Sequence, residues 1–143
     1  MLIPDVNVLV YAFREDALDH DRYRAWLQQI VEDDSPFGLS ELACSGFLRI
    51  VTNRAVYNFP SSIEEATDFI ETLREQSNCV IVSPGSRHWQ LFVNLCLGLG
   101  LGGRAVPDAY FAALAIESGN EWVTTDRGFR RDPGLRWRHP LGR

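Results

Sequence analysis

Residues 2–11, LIPDVNVLVY, join a strand-like run to a helical pattern through an acid. A short apolar run ends at Asp5, and the residues that follow have the spacing of a helix. Three further acids stand where an apolar run turns into a helix-like or turn-like segment: Glu41 in FGLSELACSGF (37–47), Asp108 in RAVPDAYFAALA (104–115) and Asp126 in EWVTTDRGF (121–129). If the runs are parallel strands, all four carboxylates converge at the carboxyl edge of one sheet.

Short strand-like runs alternate with helical patterns along the chain. The strands are predicted at residues 2–4, 36–40, 79–82 and 121–124, with a fifth at 135–137. Helices are predicted after Asp5, over 20–33, from Glu41, after Ser62, over 86–97 and over 107–116. This order predicts an α/β fold with a central, mostly parallel sheet of four to five strands and helices on both faces. The 143 residues fit a single domain over 1–143.

Carboxylates that gather at one edge repel each other and call for a cation among them. Oxygen ligands suit Mg²⁺ or Mn²⁺. The metal candidates are therefore Asp5, Glu41, Asp108 and Asp126, with Asn7, Thr124 and Thr125 as supporting polar residues. A structural alternative exists for each acid, because Asp caps helices and forms turns, and acids in a first helical turn are favoured by the helix dipole.

The composition excludes several other chemistries. All 14 basic side chains are arginine, so neither a Schiff-base lysine nor a Walker lysine is available. The three cysteines and three histidines are scattered without zinc spacing, and the cysteines are expected to be small apolar residues. No apolar stretch reaches the roughly 20 residues of a membrane span, and no secretory signal is seen. A cytoplasmic protein is the expectation.

Two further patterns concern ligands. The run GLGLGG at 98–103 matches a dinucleotide motif, but a helix and not a strand precedes it, so a loop beside the site is the better interpretation. The net charge of −5 argues against broad coating of nucleic acid. Arginines close in sequence to the acidic blocks are candidates for holding a phosphate backbone: Arg14, Arg104, Arg127, Arg130 and Arg131.

Four blocks, PDVNVLVYAF, SELACSGFLRIVTN, VPDAYFAALAIE and VTTDRGF, together resemble the PIN-domain ribonucleases of the VapC toxin family. The resemblance implies a three-layer PIN-like fold and an acidic site at Asp5, Glu41, Asp108 and Asp126 that holds one or two Mg²⁺ or Mn²⁺ ions. It further implies endonucleolytic cleavage of RNA by metal-activated water, which inhibits growth by blocking translation. A homodimer and a VapB-like antitoxin that occludes the site are the implied partners.

Other functions remain possible at this stage. A phosphatase of the haloacid-dehalogenase type needs a second Asp two residues after the first and a lysine, whereas Asn7 follows Asp5 and lysine is absent. A DNA nuclease of the structure-specific kind generally carries more acids and longer insertions. A non-catalytic α/β binding module of the receiver type also pairs its acids with a lysine. The metal-dependent ribonuclease therefore fits the residues best.

Overall fold

The computed structural model describes residues 1–143 and contains five strands, six α-helices and one 3₁₀ helix. The order is β1 (Leu2–Pro4), α1 (Val6–Phe13), α2 (His20–Glu32), β2 (Phe37–Leu39), α3 (Glu41–Val51), α4 (Ile63–Arg74), β3 (Cys79–Ile81), α5 (His88–Leu99), α6 (Ala105–Ser118), β4 (Glu121–Val123), the 3₁₀ helix (Arg127–Arg131) and β5 (Trp137–Arg138).

The predicted alternation of strands and helices is confirmed, with small shifts at the ends. The helix predicted over 86–97 runs from His88 to Leu99, and that predicted from Pro107 begins at Ala105. Proline is tolerated there because a first helical turn leaves its amides unpaired. The fifth strand is only Trp137–Arg138. No helix combines the length and the apolar character that a membrane span requires.

All strand pairings are parallel, but the ladder is interrupted. Strands β1, β4 and β5 form one hydrogen-bonded sheet in the order β1-β4-β5, while β2 and β3 form a separate pair. The expected single sheet is thus divided between β1 and β2. These two strands still lie side by side, as one contact shows. A Cβ built on Gly38 of β2 would lie 3.0 Å from the side chain of Ile3 in β1.

Helices cover both faces of the strands, as predicted for a three-layer fold. One buried cluster combines α1 to α4 with the β2 side chains of Phe37 and Leu39. The other combines α5 and α6 with Ile3 of β1 and Trp122 of β4. Alternate strand residues point to opposite faces. In β2, Phe37 and Leu39 belong to the first cluster, whereas Gly38 between them faces Ile3 and Val82 of the second. The two clusters fix the strands, and with them the residues at the strand ends.

Local capping explains where the helices begin. Ser40 accepts a hydrogen bond from the Ala43 amide at the start of α3, and Ser62 accepts one from the Glu65 amide at the start of α4. Both are standard N-cap contacts. Helix α6 is apolar almost all round and is buried along its centre, as its sequence predicts. All three cysteines are free thiols; Cys44 is buried, as expected, whereas Cys79 and Cys96 are half-buried.

Gly38 lies where the pair of β2 and β3 meets the sheet of β1, β4 and β5. A Cβ at this position would lie 2.8 Å from Cγ2 of Val82 and 3.0 Å from Cγ1 of Ile3. We expect Gly38→Ala to lower the free energy of unfolding by about 1–3 kcal/mol, because the neighbours are core side chains with little room to move. Urea denaturation measures this change.

Gly98→Ala is the matched control, because Gly98 lies in α5 and a Cβ there meets no atom within 4 Å. Alanine should leave the stability unchanged or raise it by about 0.5–1 kcal/mol. Equal free energies of unfolding for the Gly38→Ala and Gly98→Ala proteins would contradict the close packing of β1 and β2 at Gly38.

Candidate active site

Asp5 is fixed at the carboxyl end of β1 by the parallel register with β4. Leu2, Ile3 and Pro4 pair with Glu121, Trp122 and Val123, and the Asp5 amide then donates to the Val123 carbonyl oxygen at 2.8 Å. The residue that follows β4 is Thr124, whose Oγ1 donates to Oδ2 of Asp5 at 2.7 Å. Thr124 is fully buried, and Asp5 is 6% exposed. The carboxylate therefore has a defined orientation.

Asp5 also begins helix α1. Its Oδ1 accepts a hydrogen bond from the Val6 amide at 2.6 Å, and its Oδ2 lies 3.3 Å from Nδ2 of Asn7. The capping role considered from the sequence is therefore real, and it does not exclude a second role. Asn7 links the two strand ends further, since its Oδ1 accepts from the Thr125 amide at 3.3 Å. The Thr125 contact uses the backbone and not the hydroxyl.

Asp5, Asp108 and Asp126 line one cleft of about 400 Å³, which we call the acidic cleft. Asp108 reaches it from the first turn of α6 and Asp126 from the residue before the 3₁₀ helix. Asp126 is held by its own turn, because its Oδ1 accepts from the Gly128 amide at 2.7 Å. The structure thus brings together three of the four predicted acids.

The electrostatics of the acidic cleft are those of crowded acids. Burial raises the pKa of Asp5 to about 6, and the nearby Asp108 and Asp126 act in the same direction, against the hydrogen bonds from Thr124 and Val6. Burial and Asp126 also raise the pKa of Asp108, while Arg131 opposes this shift. Each carboxylate makes ionisation of the next one harder. A cation in the acidic cleft would reverse this effect.

The structure does not bring Glu41 to the acidic cleft, contrary to the sequence-based expectation. Its Oε2 accepts a hydrogen bond from Nη1 of Arg74 at 3.0 Å, and its side chain is 63% exposed. Glu41 is the first residue of α3, next to α4, and the opposite charge of Arg74 holds it there. The part of α3 that lines the acidic cleft lies about 12 Å further along its axis, at Arg49 and Ile50.

The predicted phosphate-binding arginines have different environments. Arg14 is not available, because it bonds Asp16 and Ser61 and its side chain is only 10% exposed. Arg131 lies 3.7 Å from Oδ2 of Asp108. The remaining candidates, Arg104, Arg127 and Arg130, flank the segments that carry Asp108 and Asp126, and all three are exposed.

Three residues of the acidic cleft were missed by the sequence analysis: Arg49, Tyr11 and Tyr57. None follows a strand, and strand ends were the signal that identified the acids. Arg49 lies in the last turn of α3, where an exposed arginine has no distinguishing pattern. It brings a positive charge to a cleft lined by carboxylates.

The chemistry of the donors fits a hard divalent cation. The side chains near Asp5 that could bind a metal offer carboxylate and amide oxygens, which suit Mg²⁺ or Mn²⁺. No cysteine or histidine, the usual zinc ligands, lines the acidic cleft. No three Asp, Glu, His or Cys side chains stand close enough in this structure to hold an ion by themselves. Mg²⁺ is commonly held by one or two carboxylates, with water completing the shell. The acidic cleft offers the one or two carboxylates that such a site needs.

The family model for the PIN domain matches residues 2–134. The chain belongs to the PIN-domain family. It is 43% identical over 141 residues to VapC ribonuclease Mb2897 of Mycobacterium bovis, covering 99% of this chain and 96% of that protein. Ribonuclease VapC25 of Mycobacterium tuberculosis is 36% identical over 140 residues, covering 98% of this chain and 99% of the relative. These findings confirm the resemblance to VapC proteins.

Solved PIN-domain structures agree on the fold. VapBC2 from Rickettsia felis, bound to a DNA fragment from its promoter, superposes with a TM-score of 0.69 at 17% identity over 96% of this chain and 97% of that one. VapC20 of Mycobacterium tuberculosis, described as a sarcin-ricin loop cleaving toxin, gives a TM-score of 0.66 at 11% identity, covering 93% and 95%. The architecture predicted for this PIN domain is confirmed.

One acid of the PIN domain is buried without any partner. Asp132 is 4% exposed, and neither of its carboxylate oxygens has a hydrogen-bond donor. Burial raises its pKa to about 6, with Arg131 acting to lower it and Asp108 to raise it. A raised pKa in an acid means that the ionised form destabilises the fold, most strongly above the folded-state pKa.

We expect Asp132→Asn to raise the free energy of unfolding by about 1–3 kcal/mol at pH 7, because it removes a buried charge. The gain should shrink as the pH falls below about 6, where the wild-type carboxyl takes up its proton. Thermal unfolding of both proteins from pH 4 to pH 8 measures this difference. Asp34→Asn, at an exposed position, is the control and should change nothing. A wild type more stable at pH 8 than the Asp132→Asn protein would contradict this account.

Proposed function

We propose that this protein is the toxin of a type II toxin–antitoxin system, an Mg²⁺- or Mn²⁺-dependent endoribonuclease that cleaves phosphodiester bonds of RNA and inhibits growth. The observation that carries the proposal is the acidic cleft of Asp5, Asp108 and Asp126 in a chain 43% identical to a VapC ribonuclease over nearly its whole length. A PIN fold alone hosts many activities, so the acidic cleft carries the chemistry.

Asp5 and Asp108 are the residues that would hold the cation, with Asp126 as a third acid on the same cleft. A divalent ion bound there supplies a water of lowered pKa and neutralises charge on the leaving oxygen. Glu41 is not part of this set, since it is paired with Arg74 outside the acidic cleft. The proposal therefore rests on three carboxylates and not on the four expected from the sequence.

The chain's own residues prepare the site before anything binds. Thr124 and the Val6 amide hold the Asp5 carboxylate in one orientation and favour its ionised form against burial. Asn7 joins the end of β1 to the Thr125 amide, so that the two strand ends move together. Orientation of this kind is valuable because a catalytic group displaced by about 1 Å loses much of its effect.

Positive charge at the acidic cleft comes from arginine alone. Arg49 lines the cleft, and Arg131 lies beside Asp108. Guanidinium groups bind phosphate oxygens through paired N–H donors. Arg49 is therefore proposed to hold an RNA phosphate, with Arg104, Arg127 and Arg130 as outer contacts.

The proposed partners are an RNA substrate, a VapB-like antitoxin and a second copy of this chain, in the cytoplasm. Support for the antitoxin comes from structural neighbours that are VapBC complexes, such as VapBC2 of Rickettsia felis and VapBC from Salmonella typhimurium, both bound to DNA. An antitoxin that covers the acidic cleft would need to present positive charge to the carboxylates.

Asp108→Asn tests the proposed chemistry. We expect cleavage of a single-stranded RNA to slow by about 100-fold or more, since a lost metal ligand removes several kcal/mol of transition-state stabilisation. EDTA should stop the wild-type reaction, and excess Mn²⁺ should restore it. Gel analysis of a labelled RNA measures both effects, with an unchanged thermal midpoint as evidence of folding.

Glu41→Gln is the matched control, because it neutralises an acid that the structure places outside the acidic cleft. It should cleave RNA at the wild-type rate. Full activity of the Asp108→Asn protein, or wild-type cleavage undiminished in EDTA, would reject the proposal. A large loss of RNA cleavage in the Glu41→Gln protein would reject the assignment of the site to three acids, but not the ribonuclease function.

A further inference from the structure

Tyr57 is a half-buried aromatic residue in the wall of the acidic cleft. We propose that its ring is a stacking platform for a nucleobase of single-stranded RNA, braced from behind by Arg14. This inference rests on the proposed ribonuclease function and concerns how the same site selects its RNA. Tyr57 belongs to the segment between α3 and α4, which contributes none of the carboxylates.

Arg14 covers one side of the Tyr57 ring. Its guanidinium carbon lies 3.9 Å from the ring centroid, which is a cation–π contact. With this side occupied by protein, a base can stack only on the opposite side of the ring, and Tyr57 lines the acidic cleft. A flat ring with one covered side presents a single stacking surface.

The brace itself is rigid. Arg14 donates to Asp16 through Nε at 2.9 Å and through Nη2 at 2.6 Å. Its Nη1 donates to the Phe59 carbonyl oxygen at 3.0 Å and to Oγ of Ser61 at 2.9 Å. Arg14, which the sequence predicts to bind RNA, thus uses four of its five N–H donors in contacts with the protein itself. These contacts give it a different role, which is to hold the loop of Tyr57 against the end of α1.

The backbone of Tyr57 is also fixed. Its amide donates to the Asn53 carbonyl oxygen at 3.1 Å, and the Val56 amide donates to the same oxygen at 3.0 Å. The Asn53 side chain accepts from the Ala55 amide at 2.9 Å. A ring held by backbone and brace loses little conformational freedom on binding, which is what makes a stacking surface effective.

A nucleobase is the ligand that suits this position. An RNA phosphate placed at Asp5 and Asp108 carries bases on either side of it, and unpaired bases stack on aromatic side chains. Tyr11 also lines the acidic cleft, but its ring already packs against Tyr23 with centroids 5.1 Å apart. The net charge of −5 gives little general attraction for RNA, so stacking contributes affinity that charge does not.

The test measures binding without cleavage. The probes are a fluorescent oligoadenylate of about ten nucleotides and a ribose-phosphate chain of the same length without bases, each titrated in Mg²⁺ with Asp108→Asn protein, in which cleavage is expected to be too slow to disturb the measurement. We expect Tyr57→Leu, added to that background, to bind oligoadenylate about tenfold more weakly, a typical loss for one stacked base. Tyr57→Phe keeps the ring and should bind within about twofold of the parent. Binding of the chain without bases should be equal in all three proteins.

Phe59→Leu is the control, since Phe59 is 87% exposed two residues away and does not line the acidic cleft. It should bind both probes as the parent does. Tyr57→Met is measured beside Tyr57→Leu, and the thermal midpoint of each variant is recorded, so that a folding defect in one does not decide the result. If folded Tyr57→Leu and Tyr57→Met proteins bind oligoadenylate as the parent does, the stacking role of Tyr57 is rejected and the proposed ribonuclease function is not. Failure of the parent to bind any RNA would overturn the platform together with the proposed function.

Discussion

The hydrogen bond from Thr124 to Asp5 is the contact on which the site depends. It exists because β1 and β4 pair in parallel, in a register that sets Asp5 directly beside Thr124. A shift of one strand by one residue would turn its side chains to the opposite face of the sheet and separate the two partners. The buried apolar side chains of Ile3 and Trp122 enforce the register from below the site. Packing of the core thus determines the orientation of the carboxylate.

Charge balance follows from that placement. A carboxylate that is almost fully buried beside two other acids resists ionisation, and its pKa rises to about 6. Within the chain, Arg131 offsets part of this repulsion near Asp108. The acidic cleft is therefore prepared for a cation at a cost to the stability of the empty protein, which is a common relation between active sites and folding. Asp132 adds to this cost, because its buried carboxylate has no partner.

Most of the fold and the positions of three of the four acids could be predicted from the sequence, for a specific reason. Apolar runs and helical spacing report burial directly, so the strands, the helices and the convergence of Asp5, Asp108 and Asp126 followed from local patterns. The gap between β1 and β2 did not follow, because strand pairing is decided by contacts between distant residues. Glu41 was misplaced since a position at a helix start does not say toward which neighbour the side chain turns, and Arg74 decided that.

Residues that reach the site without following a strand could not be predicted from the sequence. Arg49 and Tyr57 line the acidic cleft because the last turn of α3 and the segment after it lie beside α1. Arg14 was judged by its distance in sequence from Asp5, whereas its contacts with Asp16 and Tyr57 give it a structural role. Tertiary contacts of this kind leave no periodic signal in one sequence.

The electrostatic account of the site is that burial and crowded acids raise the pKa of Asp5 to about 6, and that a bound divalent cation lowers it. Its most direct test is the pH titration of the Asp5 side-chain carboxyl ¹³C resonance by NMR, assigned with Asp5→Asn, without and with saturating Mg²⁺. The account predicts a midpoint near the pKa of about 6 without the metal and a clearly lower midpoint with it. A metal-free midpoint at the ordinary value of 3.8, or a midpoint that Mg²⁺ leaves unchanged, would contradict the account.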